Sequence, residues 1–329
     1  MEKGEKEKGK VCVTGGTGFV ASWLILRLLQ HGYSVNTTIR SHQAAGSKKD
    51  TSYLTNLPNA PENLRIFNAD LDNPDSFEAA IEGCIGVFHV AHPIEFQDNE
   101  TEEMVTNKSV RATLGILRAC VNSKTVKRVV YTSSGSSIMF NDKGADVLDE
   151  GSWSDLNYVR KLSGASYYVS KMFTERAALE FGDKCSLDVV TVIPTWINGP
   201  FICPSCPASL KASLAMIMGN EIQIKYHERT PFVHIDDVAS AHIFLFEYPE
   251  AKGRYICSAV ETTTDNLCEF VSKRYPEFQI MDADSLTDSS AKIASLSSKK
   301  LLDSGFRFKY GLEEMFDEAI ECCRQKGFL

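Results

Sequence analysis

The chain has 329 residues, 43% of them hydrophobic, and a formal net charge of −8 from 35 basic and 43 acidic side chains. That length and apolar content allow a large core in one big or two modest domains. The acidic balance leaves no basic stripe to follow a nucleic-acid backbone, and no apolar run approaches the roughly 20 residues needed to cross a bilayer. Residues 1–10, MEKGEKEKGK, are charged throughout and read as a frayed tail without a secretion or membrane signal, so a cytoplasmic location is expected. Ten cysteines scattered through strand-like and helix-like stretches fit reduced thiols better than a disulfide framework. The sequons at Asn36, Asn99 and Asn107 are then expected to stay unmodified. Cys203-Pro204-Ser205-Cys206 has redox or zinc spacing, but no second ligand pair stands nearby, so it reads as a loop with two thiols and no metal is expected. The Cys322-Cys323 pair falls on an amphipathic stretch and reads as core packing.

In chain order, Val11 to Gln30 (VCVTGGTGFVASWLILRLLQ) give a strand, a glycine turn and a helix in succession. The turn has the form G-x-x-G-x-x-A. Gly15 can take the positive φ of a tight turn, Gly18 offers no side chain to obstruct an anion, and Ala21 lets helix and strand pack closely. The free N–H groups of the helix start suit a dinucleotide pyrophosphate. Tyr33 to Arg40 read as a second strand. A fold preferring NAD places a carboxylate about 20 residues beyond the glycines, where it would repel a 2′-phosphate. Here the strand ends in Arg40, whose guanidinium would bind that phosphate, and Lys48 and Lys49 follow. NADPH/NADP+ is the expected cofactor, the plain alternative being an ordinary surface arginine.

Leu64 to Asp70 form a third strand, with Asp70-Leu71 at its end either bordering the adenine or capping the next element. Asn73-Pro74-Asp75 open a helix through Glu82, and Val87 to Ala91 form an apolar strand of the kind buried in parallel sheets. A long helix from about Glu102 to Cys120 precedes the fifth strand, Val126 to Ser133. Strands alternating with helices at this spacing predict an α/β fold with a doubly wound parallel sheet and ligand along its carboxyl edge. Ser134 to Gly164 are long and polar with Trp153 inside, and read as a lid or a poorly ordered insert. A helix follows from about Ala165 to Phe181, then the strand Leu187 to Ile193, broken by Pro194. The expected division is a nucleotide-binding unit of residues 11–193 plus about 232–258, with a smaller substrate-binding portion from the remainder of 194–329. Within it, Phe232 to Tyr248 and Arg254 to Ser258 are expected to return to the main sheet.

Tyr167 and Lys171 lie four residues apart on the helix that follows the long loop, hence on one face. A phenol with a pKa near 10 exchanges protons poorly at neutral pH, but an adjacent ammonium, helped by a cationic nicotinamide, would lower that value. Tyr167 could then give a proton to a carbonyl oxygen while the nicotinamide delivers hydride to the carbon, with Ser134 hydrogen-bonded to the same oxygen. Y-x-x-x-K arises easily by chance, and Tyr248 with Lys252 is an internal control: Pro249 lies between them at a helix end, so that pair reads as decorative.

TGGTGFVASWL, RVVYTSSGS, YYVSK, IPTWINGPF, FVHIDDVASAHIFLFE, GRYICS and EEMFDEAIECCRQKGFL together resemble the plant extended short-chain dehydrogenases/reductases, in the branch of the dihydroflavonol and vestitone reductases. The resemblance covers nearly the whole chain. It implies a Rossmann domain, NADPH-dependent ketone reduction on flavonoid or isoflavonoid skeletons, and Ser134, Tyr167 and Lys171 as catalytic triad. It also implies Arg40 and Lys48 at the 2′-phosphate, Asp70 and Leu71 at the adenine, and Pro194 against the nicotinamide. Gly15, Thr17, Gly18, Phe19, Val20, Val90, Ala91, Thr132, Tyr167, Lys171 and Ile197 complete the expected cofactor contacts. The N-W-Y-C-Y signature of cinnamoyl-CoA reductases is replaced by Ala165-Ser166-Tyr167-Tyr168. An asparagine and a glutamine that line the pocket in dihydroflavonol reductases appear as Met139 and Pro231, which favours a more apolar ring. His92 replaces a small residue, either touching substrate or filling space, and Ser209 completes the expected pocket wall. A monomer acting on a small phenolic carbonyl is expected. An NAD(P)-dependent alcohol dehydrogenase for another metabolite such as an alkaloid, or a non-catalytic cofactor-binding scaffold, fits the same residues.

Overall fold

The computed structural model describes residues 8–40, 50–93, 100–141, 146–219, 226–280, 286–288 and 293–329; Lys48, Lys49, Asn99 and residues 1–7 lie outside them. Among the described residues, strands run β1 (Lys10–Val13), β2 (Ser34–Ile39), β3 (Leu64–Asn68), β4 (Gly86–His89), β5 (Arg128–Thr132), β6 (Val147–Leu148), β7 (Asp188–Pro194), β8 (Trp196–Asn198), β9 (Tyr226–His227), β10 (Arg229–His234), β11 (Gly253–Cys257), β12 (Val260–Thr263), β13 (Thr287–Asp288) and β14 (Ser295–Leu296). Seven of them form one sheet in the order β11-β7-β5-β4-β1-β2-β3, every pair parallel. The order reverses at β1, which lies between β2 and β4, so the crevice at their carboxyl ends is the topological switch point.

Strand periodicity explains the layers. Val11 and Val13 of β1, with Val130 and Val192, face one core shared with Leu24 and Leu28 of the helix Phe19–Gln30 and Val238 of the helix Ile235–Glu247. Cys12, between those two valines, points to the opposite core, where Val87, Val129 and Val189 meet Ile116 of the helix Glu102–Ser123 and Ala178 of the helix Ala165–Cys185. Both faces of the sheet are covered, which is why β1, β4 and β5 need no polar side.

The expected α/β fold with a doubly wound parallel sheet is therefore present, with three adjustments. β4 stops at His89, because the N–H groups of Val90 and Ala91 donate to Thr14 Oγ1, at 3.1 and 3.0 Å, instead of continuing a ladder. Pro194 ends β7 rather than breaking it: it is the last residue of the register with β11, paired with Cys257. Phe232 does not return to the main sheet. β10 joins a separate three-stranded sheet, β12-β10-β8, since Phe232 to His234 run parallel to Trp196 to Asn198 while the place beside β7 is taken by β11. The following helix Ile235–Glu247 does pack on the main sheet.

The smaller sheet has its own core. Phe232 of β10 packs with Phe316 and Ile320 of the helix Leu312–Gln325, with Leu267 and Val271 of the helix Thr264–Arg274, and with Leu210 of the helix Ala208–Ser213.

Candidate active site

The turn after β1 is shaped by close approaches. Gly15 has φ +74°, its N–H donates to Thr38 Oγ1 at 3.1 Å, and a Cβ there would stand 3.1 Å from Ala91 Cβ. Gly16 is a requirement that the motif concealed: a Cβ would lie 2.2 Å from Thr37 Oγ1. Gly18 differs from both. It caps the helix Phe19–Gln30 with φ −80°, and a Cβ would meet only Gly15 O, at 3.3 Å, so protein packing alone does not demand a glycine. The bare position keeps a path open to the helix N-terminus, whose first turn, with Phe19 and Val20, carries no acidic side chain. That surface, with Thr17 beside it, is suited to an anion. Ala21 is fully buried against the core, as its place in the motif requires.

Thr14, which sequence reasoning passed over, ties the switch point together. Its buried hydroxyl receives the Val90 and Ala91 N–H groups and lies 2.9 Å from His89 Nδ1, while His89 Nε2 lies 3.0 Å from Thr113 Oγ1. Burial, with Lys171 adding to it, pushes His89 down to about 3, so the ring stays neutral and serves as a hydrogen-bonding strut.

On the far half of the edge, Arg40 lies exposed immediately after β2, and Leu71 is buried beyond β3. Asp70 Oδ1 accepts from Asp72 N at 3.0 Å, and its own N–H donates to Ser76 Oγ at 2.9 Å, so its carboxylate braces the local turn, one of the two roles open to it in sequence.

The near half holds the titratable groups. The helix Ala165–Cys185 starts after Gly164, which has φ +83°, and presents Tyr167, Lys171 and Glu175 one turn apart on one face. The Tyr167 side chain is hydrogen-bonded to that of Ser134. Ser134 Oγ is itself fixed by Ser136, which donates through N at 3.2 Å and Oγ at 3.0 Å. Lys171 Nζ donates to Thr132 O at 3.0 Å, at the end of β5. His92 packs edge-on to Tyr167, with ring centroids 5.7 Å apart, and its Nε2 lies 3.2 Å from Ser170 Oγ, which donates to Tyr167 O. Burial, with Lys171 and His89 adding to it, holds the His92 ring well below its usual pKa.

In the protein alone, burial pushes the Tyr167 phenol up to about 12, with the Ser134 hydrogen bond acting against the rise. Burial also pushes Lys171 down to about 7, opposed by the charge of Glu175. Desolvation therefore outweighs mutual help between the two, and at neutral pH the phenol keeps its proton and is a donor.

Pro194, Ile197 and Met139 are all buried. A Cβ on Gly135 would be 2.6 Å from Met139 Cε, the end of a flexible side chain, and 3.5 Å from Pro194 O, so the three positions lie close together. Met139 is otherwise surrounded by Phe140, Val159, Val169 and Ile293. Ser209, in the helix Ala208–Ser213, and Pro231, in β10, belong to the smaller unit.

Beneath the triad lies a buried cluster that a linear reading missed. Glu175 Oε1 accepts from Arg254 Nε at 2.9 Å and Thr191 Oγ1 at 2.7 Å; Oε2 accepts from Ser133 Oγ at 2.7 Å and Arg254 Nη2 at 3.2 Å. Arg254 Nη1 donates to Glu150 O and Ser152 O, and Nη2 to Ser137 Oγ. Its guanidinium stacks 3.6 Å over Trp153, with Arg176 4.4 Å from the same ring. This part of the 134–164 stretch is clamped to the core, contrary to the expectation of a lid or loose insert.

The family model described as the NAD dependent epimerase/dehydratase family matches residues 11–257. Vestitone reductase of Medicago sativa is 53% identical over 98% of this chain and 99% of its own length. The crystal structure of the alfalfa enzyme superposes with a TM-score of 0.86 over 98% of this chain and 100% of that one, at 52% identity. Dihydroflavonol 4-reductase of Arabidopsis thaliana is 45% identical over 98% of this chain and 84% of its length, and noscapine synthase SDR1 of Papaver somniferum 48% over 97% and 93%. With a glycine turn at the switch point of a parallel sheet, and a model match that spans that sheet from β1 to β11, the chain belongs to the NAD dependent epimerase/dehydratase family.

Proposed function

We propose that this protein is an NADPH-dependent reductase that transfers hydride to the ketone of a plant phenolic of isoflavanone or flavanonol type. The observation that carries the reading is the placement of the Tyr167 phenol beside Ser134 and one helical turn from Lys171, at the edge of the sheet that holds the glycine turn. The ketone class is that named by two relatives, vestitone reductase and dihydroflavonol 4-reductase.

NADPH, when bound, supplies the hydride. Tyr167 gives its proton to the carbonyl oxygen as negative charge develops there, and Ser134 donates a second hydrogen bond that orients the carbonyl. Lys171, anchored on Thr132 O, stabilises the phenolate and returns the proton. The turn residues Gly15, Thr17, Gly18, Phe19 and Val20 would hold the pyrophosphate, Arg40 and Lys48 the 2′-phosphate, and Asp70 and Leu71 would border the adenine. Val90, Ala91, Thr132, Pro194 and Ile197 would line the nicotinamide side, with His92, Met139, Ser209 and Pro231 as substrate walls. Residues 11–193 with the helix Ile235–Glu247 and β11 then form the cofactor side, and the unit around β8, β10 and β12 the substrate side. No helix among the described residues is long and apolar enough to cross a membrane, and action as a cytoplasmic monomer completes the reading.

Purified protein mixed with NADPH and a panel of isoflavanones, flavanonols and cinnamoyl thioesters should lose reduced-nicotinamide absorbance with the first two classes. Turnover of none of them contradicts the proposal. The panel is also run as alcohols with NADP+, because noscapine synthase is not named for a reduction.

The Arg40 assignment has a separate outcome. A charge-assisted contact to phosphate contributes about 1.5–3 kcal/mol, so Arg40→Glu should lower kcat/KM for NADPH by about 10–100-fold while leaving NADH nearly unchanged. Equal losses with both cofactors would show that Arg40 does not read the phosphate.

A further inference from the structure

His92 leaves the end of β4 under three constraints. The N–H groups of the two residues before it, Val90 and Ala91, donate to Thr14 Oγ1 at 3.1 and 3.0 Å. Pro93 follows it and confines its backbone to extended conformations. Its half-buried ring stands at 84° to the Tyr167 ring, with centroids 5.7 Å apart, and brings Nε2 within 3.2 Å of Ser170 Oγ.

That last contact fixes the tautomer. Ser170 has one hydroxyl hydrogen, and it is donated along the shorter bond, 2.9 Å, to Tyr167 O in the preceding turn of the helix. Ser170 Oγ is then the acceptor in its contact with His92, and Nε2 carries the hydrogen. Burial and the charge of Lys171 keep the ring neutral, which leaves a bare lone pair on Nδ1. The buried histidines His89 and His242 have both ring nitrogens engaged. On His92, nothing among the described residues donates to Nδ1, and unlike the unpaired His234 Nε2 it is not sealed inside the protein. A held ring therefore presents an acceptor beside the group that gives the proton.

We propose that His92 selects the substrate: its Nδ1 accepts a hydrogen bond from a hydroxyl that neighbours the ketone, on the α carbon or on an α-aryl ring. This rests on the reductase reading and adds to it the feature by which one ketone is chosen over another. An acceptor that the bound substrate desolvates and leaves without a donor is penalised. A ketone lacking the hydroxyl puts Nδ1 in that state; a hydroxylated one pairs it, and the same bond holds the carbonyl in place for Tyr167 and Ser134. Met139 and Pro231 carry no side-chain hydrogen-bonding group of comparable strength, so polar discrimination falls to the end of the pocket where the carbonyl reacts.

The test uses the full chain with NADP+, which has no hydride to give, so that ketone binding is read alone. Two pairs are titrated: a flavanonol against the flavanone that lacks its α-hydroxyl, and an isoflavanone with and without the ortho hydroxyl of its α-aryl ring. In at least one pair the hydroxylated ketone should bind about tenfold more tightly, and the pair that shows it identifies which hydroxyl is read. His92→Phe keeps a ring beside Tyr167 and should bring that ratio to about 1; Ser170→Ala, which releases Nε2, should lower it. Nitrogen-15 NMR of the ligand-free protein should show Nδ1 without a proton and Nε2 with one, and the Nδ1 resonance should move when the preferred ketone is added. Equal affinities within both pairs, a preference that persists in His92→Phe, or a proton on Nδ1 would each overturn the proposal. Reduction of both members of each pair without any preference sinks this assignment and leaves the reductase reading standing; selective binding without reduction does the reverse.

Discussion

Tyr167→Phe is expected to lower kcat for ketone reduction by about 10²–10⁴-fold, the range contributed by a positioned general acid, while NADPH binding stays within about twofold. The substitution removes one oxygen from a helix face that stays otherwise intact. The ring contacts with His92 and Tyr168 are apolar edges that phenylalanine reproduces, and the main-chain bond from Ser170 does not involve the phenol. What is lost is the proton donor, a group that burial holds near 12 and therefore fully protonated at the pH of the assay. Stopped-flow reduction together with fluorescence titration of NADPH separates the two effects. Full activity in the variant would support the reading of the chain as a cofactor-binding scaffold whose Tyr167 does no chemistry; a parallel loss of cofactor binding would mean that Tyr167 holds the dinucleotide rather than the substrate.

The second large effect is on stability. Glu175→Gln leaves Arg254 buried beneath the triad without its counter-charge, and breaking a buried pair on one side costs about 3–5 kcal/mol. For a chain of this length that corresponds to a fall in Tm of roughly 4–7 °C, measurable by calorimetry. The same variant carries an electrostatic signature that a purely structural role would not give. Lys171 sits near 7 because burial, which lowers it, is opposed by Glu175. Reductive kcat/KM should therefore decline as pH rises through about 7, where the ammonium is lost, and in Glu175→Gln that limb should move to lower pH. A folded variant whose limb does not move would show that Glu175 braces the site without tuning it.

The parts of this fold that depend on neighbours in sequence were legible. The β1 turn announces itself through Gly15 and Gly18, and the Tyr167–Lys171 spacing needs only the helix on which both lie. The decoy was legible too: Tyr248 follows the end of the helix Ile235–Glu247, and its hydroxyl donates to the exposed Glu250. Features set by distant segments were not. Glu175 stands one turn past Lys171 and is passed over by sequence reasoning, because its partner Arg254 reaches it only where β11 lands beside β7. Trp153 looked like part of a loose loop for the same reason, since what holds it is that arginine. Sequence reasoning places Phe232 to Tyr248 in the main sheet, but the sheet that takes Phe232 to His234 is decided by pairing with β8 and β12, which adjacent residues do not announce. The depth of burial at Tyr167, which raises the phenol in the protein alone, was not legible either, because sequence supplies neighbouring charges but not burial.

The central claim is that Tyr167 and a reduced nicotinamide act on one carbonyl from two sides. It is tested most directly with NADPH deuterated at the transferred position and an isoflavanone ketone. Mass spectrometry of the alcohol should show one deuterium on the carbinol carbon with the native protein, and almost no labelled alcohol with Tyr167→Phe over the same time. Alcohol formed without the label, or labelled alcohol formed equally fast by the variant, would contradict it.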